Sequence, residues 1–203
     1  MRPRVRSTLP VVEPVLLTAH PDAFNDPAWL FEPKYDGYRG LLYVTRRGCR
    51  FRSKRGNVLE RFQELCYSVR EELPVKEAIL DGEVVALDSQ GPQNLKALLI
   101  GRGNLHYAAF DALWVDGQDL RALPLKRKLA LTGLVPATTT VVSQLFSIEE
   151  RGRDLLDAAE RLDLEGIVAK RLADPYRRDT VWYKIKSSTY TQGEGRWERF
   201  QKG

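Results

Sequence analysis

An α+β domain of antiparallel sheets flanked by helices is predicted by three observations. Runs of β-branched and aromatic residues outnumber the segments with helical periodicity. These runs come in clusters rather than alternating strictly with helices, which argues against a doubly wound parallel sheet. A hydrophobic content of 43% over 203 residues is ordinary for a chain that buries one sizeable core.

The elements follow in order. Residues 1–10 form a basic arm, and the Pro-rich, weakly periodic stretch to residue 27 reads as a lead-in over the surface. Strands are predicted at 28–33, 38–45 and 48–53, the last two joined by Arg46-Arg47-Gly48. Asp36-Gly37 favours a tight turn, so the first two strands read as a hairpin with Lys34 near its tip. The same placement suits a nucleophilic lysine at a strand end. From residue 57 the spacing of Leu59, Phe62, Leu65, Cys66, Val69 and Leu73 predicts a helix, with Asn57 as N-cap and Pro74 as stop. A strand at 77–87 is followed by Gly- and Pro-punctuated sequence with a short helix over 95–100. Next come a strand over 105–115 ended by Asp116-Gly117, a basic helix over 124–134 and a strand over 138–142. An amphipathic helix over 148–162 carries Leu155, Leu156, Ala159 and Leu162 on one face. Strands at 164–171 and 180–186 close the pattern, and the tail from Ser187 is polar.

The formal charge of +5 and pI of about 9.2 suit a polyanionic partner without requiring one. Six basic residues and no acid stand between Arg46 and Arg55. Such a run is ordinarily a solvated face; beside an anion-handling site it favours contact with a phosphate backbone. Cys49 and Cys66 lack metal-ligand spacing and read as reduced thiols, Cys66 in a helix core. His20 and His106 stand alone and read as ordinary side chains. The chain has no apolar run approaching the ~18 residues that span a bilayer, so no membrane partner is expected and a cytoplasmic or nucleoid-associated place is.

Five short stretches fall at strand ends or centres: Lys34-Tyr35-Asp36-Gly37, Asp81-Gly82-Glu83, Phe110-Asp111, Glu165-Gly166 and Lys184-Ile185-Lys186. This set, in this order, resembles the nucleotidyltransferase domain of ATP-dependent DNA ligases, whose superfamily also holds RNA ligases and capping enzymes. Trp29 to Pro33, Leu164 to Arg171 and Trp182 to Lys186 resemble the bacterial end-joining ligases. The resemblance covers residues 11–188 and implies an ATP-grasp-like domain. It implies that Lys34 attacks the α-phosphate of ATP and carries AMP as a phosphoramidate, for transfer to the 5′-phosphate of nicked or broken DNA in repair or end joining.

That attack needs a neutral amine, which burial and the neighbouring Lys184 and Lys186 would favour over the ordinary lysine pKa of about 10.4. By the same resemblance, Glu83 and Glu165 serve the ribose and a divalent metal, Mg²⁺ or Mn²⁺. Phe110 stacks on the base and Val168 closes its other face. Glu32 accepts from the adenine 6-amino group, which favours ATP over GTP. Arg39, Lys170, Lys184 and Lys186 contact the nucleotide.

The chain departs from the family pattern in two places. The stretch Arg52-Ser53-Lys54-Arg55-Gly56 has Lys54 where an arginine is usual at a contact to the DNA 5′-phosphate. A lysine keeps the charge but loses the bidentate fork, so Arg52 and Arg55 join Lys54 as DNA-contact candidates. Residues 189–203 are too few for the OB-fold domain that normally follows, so a partner OB-fold is expected in cis or on a separate chain. The other readings are an RNA ligase or GTP-using capping relative, and a non-catalytic nucleotide- or DNA-binding subunit.

Overall fold

The computed structural model describes residues 9–87 and 104–191; the helix expected over 95–100 lies outside them. Two sheets face one another. The first holds β1 (Leu17–Ala19), β2 (Asn25–Lys34), β9 (Ile148–Arg151), β10 (Gly166–Arg171) and β11 (Trp182–Lys186), in the order β1-β11-β10-β2-β9. The second holds β3 (Tyr38–Thr45), β4 (Gly48–Arg52), β5 (Ala78–Leu87), β6 (Asn104–Val115) and β7 (Gln118–Asp119), in the order β4-β3-β5-β6-β7. A short β8 (Val142–Gln144) pairs with β6. The helices are α1 (Gln63–Glu72), α2 (Ala130–Leu134) and α3 (Gly152–Arg161). The α+β prediction holds, with one change: β1 runs parallel to β11 and β8 parallel to β6, so the sheets are mixed.

Alternation along the strands sorts side chains into three apolar layers. Phe31, Ile167, Ala169 and Ile185 point from the first sheet towards α3, meeting Leu155, Leu156 and Ala159. Leu42, Val44, Phe51, Leu80 and Tyr107 point from the second sheet towards Leu65, Cys66 and Val69 of α1. Between the sheets, Leu41, Tyr43, Ile79 and Phe110 meet Val168 and Trp182. Each large side chain so enclosed stabilises the fold by roughly 1.5–3 kcal/mol. The middle layer positions the site, because it is the one that mixes charge with apolar surface.

Several expectations change. β2 and β3 do not form a hairpin; they belong to different sheets, and Tyr35-Asp36-Gly37 carries the chain from one to the other. Gly37 is needed for a close approach: a Cβ there would lie 2.4 Å from the Val84 carbonyl oxygen and 2.7 Å from Glu83 Cγ. The lead-in is structural, since Val15 is fully buried, β1 extends the first sheet and the Val12 N–H donates to the Tyr43 hydroxyl. Asn57 caps no helix; a 3-10 turn over Glu60–Phe62 leads into α1. The basic helix is a 3-10 segment, Leu125–Leu129, followed by α2. The strand expected over 138–142 lies at β8, and the helix expected from Ile148 begins at Gly152 after β9 has added an edge to β2. Asp116 (φ 43°) and Gly117 (φ 92°) make the predicted turn after β6. Among the described residues no helix is long and apolar enough to cross a membrane.

Candidate active site

Register builds the site. Along the inner face of the first sheet, Lys34 of β2 lies beside Gly166 of β10, which lies beside Lys186 of β11. The next row is Glu32, Val168 and Lys184, and the third is Leu30, Lys170 and Trp182. Rows two residues apart share a face, so these side chains converge on one side of the sheet. Opposite them, β3 and β5 set Arg39 beside Glu83 and Leu41 beside Asp81. Gly166 adopts φ 142°, a conformation that favours glycine, and a Cβ there would lie 2.1 Å from the Ile185 carbonyl oxygen.

The cleft between the sheets is lined by Glu32, Lys34, Arg39, Glu83, Phe110, Val168 and Lys170 from among the expected residues. Leu17, Tyr35, Leu145 and Trp182 complete its apolar walls. The mix of apolar walls with a few convergent charges is what small-ligand sites require. Lys184 is half-buried and Lys186 exposed at the end of β11. Arg52 is half-buried with its guanidinium carbon 5.7 Å from the Tyr43 ring centre. Lys54 and Arg55 are exposed on a loop closed by Ser53 N–H to Asn57 O (2.8 Å) and Gly56 N–H to Ser53 O (2.8 Å). These three do not line the cleft. The Arg52 Nε and Ser53 Oγ atoms are buried with no hydrogen-bond partner among the described residues.

Charges in the cleft are paired. Lys34 donates to Glu165 Oε2, both side chains being partly buried. The neighbour the structure gives the amine is thus a carboxylate, where the sequence pointed to Lys184 and Lys186. Arg39 grips Asp81 with two bonds, Nε to Oδ1 at 3.1 Å and Nη2 to Oδ2 at 2.6 Å, and donates to the Val15 carbonyl at 2.5 Å. Burial opposes the Arg39 charge, but the Asp81 carboxylate more than offsets this and raises the guanidinium above its ordinary value. The Tyr176 hydroxyl donates to Asp81 Oδ2 at 2.6 Å, completing the partners of a fully buried acid. Burial pushes Glu83 up to about 8, helped by the Asp81 and Glu165 carboxylates and opposed by Lys34 and Arg39.

Glu32 is the most enclosed acid of the first sheet, 1% exposed, and two lysines share it. Lys128 donates to Oε1, and the Lys170 ammonium lies 2.7 Å from Oε2. Burial lowers Lys170, with Glu32 and Asp111 opposing. Its ammonium also sits 4.2 Å from the Phe110 ring centre and 4.0 Å from that of Trp182. Sequence reasoning missed Lys128, which carried no signal beyond membership of a basic segment. Asp81 stood within a recognised stretch but had no role; only the fold shows that it fixes Arg39.

Among the described residues no group of three or more His, Cys, Asp or Glu side chains converges as a metal cage. Glu83 and Glu165 nevertheless fit Mg²⁺ or Mn²⁺. They are hard oxygen donors flanking Lys34, and burial raises Glu83 further than the nearby cations can offset. Mg²⁺ is commonly held by one or two carboxylates together with substrate phosphates.

Residues 18–186 match the family model described as the ATP dependent DNA ligase domain. The multifunctional non-homologous end joining protein LigD of Pseudomonas aeruginosa is 34% identical over 168 residues, covering 78% of this chain and 20% of that protein. The SPbeta prophage-derived DNA ligase-like protein LigB of Bacillus subtilis is 28% identical over 192 residues, covering 89% and 69%. The crystal structure of the ligase domain from Mycobacterium tuberculosis LigD superposes with a TM-score of 0.68 at 28% identity, covering 85% of this chain and 58% of that one. The Chlorella virus DNA ligase-adenylate, 18% identical with a TM-score of 0.61 over 87% of this chain and 69% of its own, shares the fold. The chain thus spans a fifth of LigD and less than two thirds of its ligase domain.

Proposed function

The chain belongs to the ATP-dependent DNA ligase domain family, and we propose that it is an adenylation module that forms lysyl-AMP on Lys34 and passes the AMP to a 5′-phosphorylated DNA end. The observation that carries this reading is the placement of Lys34, bonded to Glu165, in the lining of a cleft that also carries Phe110, Trp182, Glu32, Arg39 and Lys170.

The chemistry follows from the residues. Phe110 and Val168, both in the lining of the cleft, are the residues to hold the purine, with its 6-amino group towards Glu32. Arg39, fixed by Asp81, and Lys184 with Lys186 at the end of β11 offer positive charge to the phosphates. The Lys34 nitrogen attacks the α-phosphorus, the bond to the bridging oxygen breaks, and pyrophosphate leaves with that oxygen. The proton that the amine must lose goes to Glu165, its hydrogen-bond partner. Glu83 and Glu165 would hold a divalent ion, which would supply charge neutralisation for the transferred phosphoryl group. Arg52, Lys54 and Arg55 contact the DNA backbone beside the 5′-phosphate, the exposed Lys54 and Arg55 offering their charge directly. The sealing step draws on an OB-fold domain, in cis beyond residue 188 or on another chain. Repair or end joining in the cytoplasm or nucleoid is the setting that suits such an activity.

The test uses ATP labelled on its α-phosphate, followed by a nicked duplex with a 5′-phosphate. Label should appear on the protein and then move to the DNA 5′ end. Label from GTP in preference to ATP, or label that moves only to RNA ends, would favour the capping or RNA-ligase reading instead.

A further inference from the structure

Beside the cleft lies a buried cluster of two acids and two bases. Glu32, Asp111, Lys128 and Lys170 are 1%, 0%, 3% and 1% exposed. Lys170 faces both Glu32 and Asp111, so Lys128 balances the charge of the cluster, but balance alone does not require it to bond Glu32. What Lys128 adds is geometric: it donates to Oε1 while Lys170 lies against Oε2. Its own ammonium is held a second time, by the Leu145 carbonyl at 3.2 Å. The segment that delivers it is tied to the chain just beyond β10, through the Leu125 N–H to the Leu172 carbonyl at 3.0 Å. Lys128 does not line the cleft; it stands behind Glu32, which does.

We propose that Lys128 is a positioning residue that holds Glu32 as a fixed hydrogen-bond acceptor and thereby sets the preference of the cleft for an adenine over a guanine nucleotide. The inference rests on the reading of the cleft as the ATP site. A carboxylate has about four acceptor positions, so an oxygen with one donor each keeps a lone pair for a ligand. A carboxylate pinned at both oxygens can only accept. An adenine presents a 6-amino donor to it; a guanine presents a 6-carbonyl acceptor, and two facing acceptors repel. Without Lys128, Oε1 loses its donor, and the carboxylate is free to turn away from a guanine carbonyl.

The test compares wild type with Lys128→Met and Lys128→Arg. Equilibrium binding of ATP and of GTP is measured by calorimetry with a chelator in place of Mg²⁺, so that no lysyl-AMP forms, beside the melting temperature of each protein. Lys128→Met leaves Lys170 to balance both Glu32 and Asp111, so its melting temperature should fall, and binding is compared well below that temperature. Its ratio of ATP to GTP affinity should fall by roughly 10- to 100-fold, the equivalent of one hydrogen bond to a charged group. Lys128→Arg should restore most of the ratio. An unchanged ratio in Lys128→Met, or equal weakening of both nucleotides, would overturn the inference. Wild-type protein that binds neither nucleotide would instead overturn the ATP-site reading on which it rests.

Discussion

Lys34 and Glu165, 131 residues apart in sequence, meet in an ion pair where β2 ends and β10 is about to begin. On the proposed reading, the pair ties the nucleophile to the acid beside which the transferred phosphoryl group and its metal would sit. It also makes the two residues separable by mutation, because neither is deep in the core: their side chains are 17% and 14% exposed.

Lys34→Ala should abolish adduct formation while the melting curve changes little, since a partly solvated ion pair contributes up to about 1 kcal/mol. Glu165→Gln keeps the shape and removes the proton acceptor. Single-turnover labelling of that variant should be slower by roughly 100-fold or more, the usual scale for removing a general base.

Glu83 gives a pH dependence in metal-free protein. Its folded pKa of about 8 lies above the unfolded carboxylate value, so the native state holds one more proton between those limits. Stability therefore falls as pH rises from the unfolded carboxylate range to about 8, by on the order of a few kcal/mol at most. Glu83→Gln should flatten that slope in thermal melts made with a chelator present, and a slope identical to wild type would contradict the assignment.

Gly37→Ala places a methyl group against the Val84 carbonyl oxygen at the crossing between sheets. The strand ends must part, at a cost of about 1–3 kcal/mol. Denaturant titration should show a lowered midpoint, and labelling should slow because Lys34 and Glu83 flank the same crossing.

Neutralising Lys54 or Arg55 should leave adduct formation unchanged and weaken nicked-duplex binding. For every phosphate left without its cation, the slope of log K against log salt should become shallower by about 0.9. Arg52→Ala should do the same, with a larger fall in affinity because its Nε is already desolvated. Salt titrations by fluorescence anisotropy measure both.

Much of the architecture was legible because alternation and turn chemistry are local. The strands at 38–45 and around 105–115 and the Asp116-Gly117 turn could be read directly, as could the motif residues that register later brought to one face. Pairing was not legible. Trp29 to Lys34 and Tyr38 to Val44 look like the arms of a hairpin, and no local signal says that each joins a different sheet. Residues 148–151 continue a helical apolar pattern into α3, yet the edge of β2 takes them as a strand. Lys128 was invisible for the same reason: its partner lies 96 residues away, and a lysine in a basic segment looks solvated until Glu32 is placed beside it.

The central claim is that Lys34 carries AMP. The most direct measurement is the intact mass of the protein after incubation with ATP and Mg²⁺, alone and with an OB-fold ligase domain supplied, followed by peptide mapping. The account predicts a gain of one AMP, located on the peptide containing Lys34 and missing from Lys34→Ala. No gain under either condition, or an adduct on another residue, would contradict it.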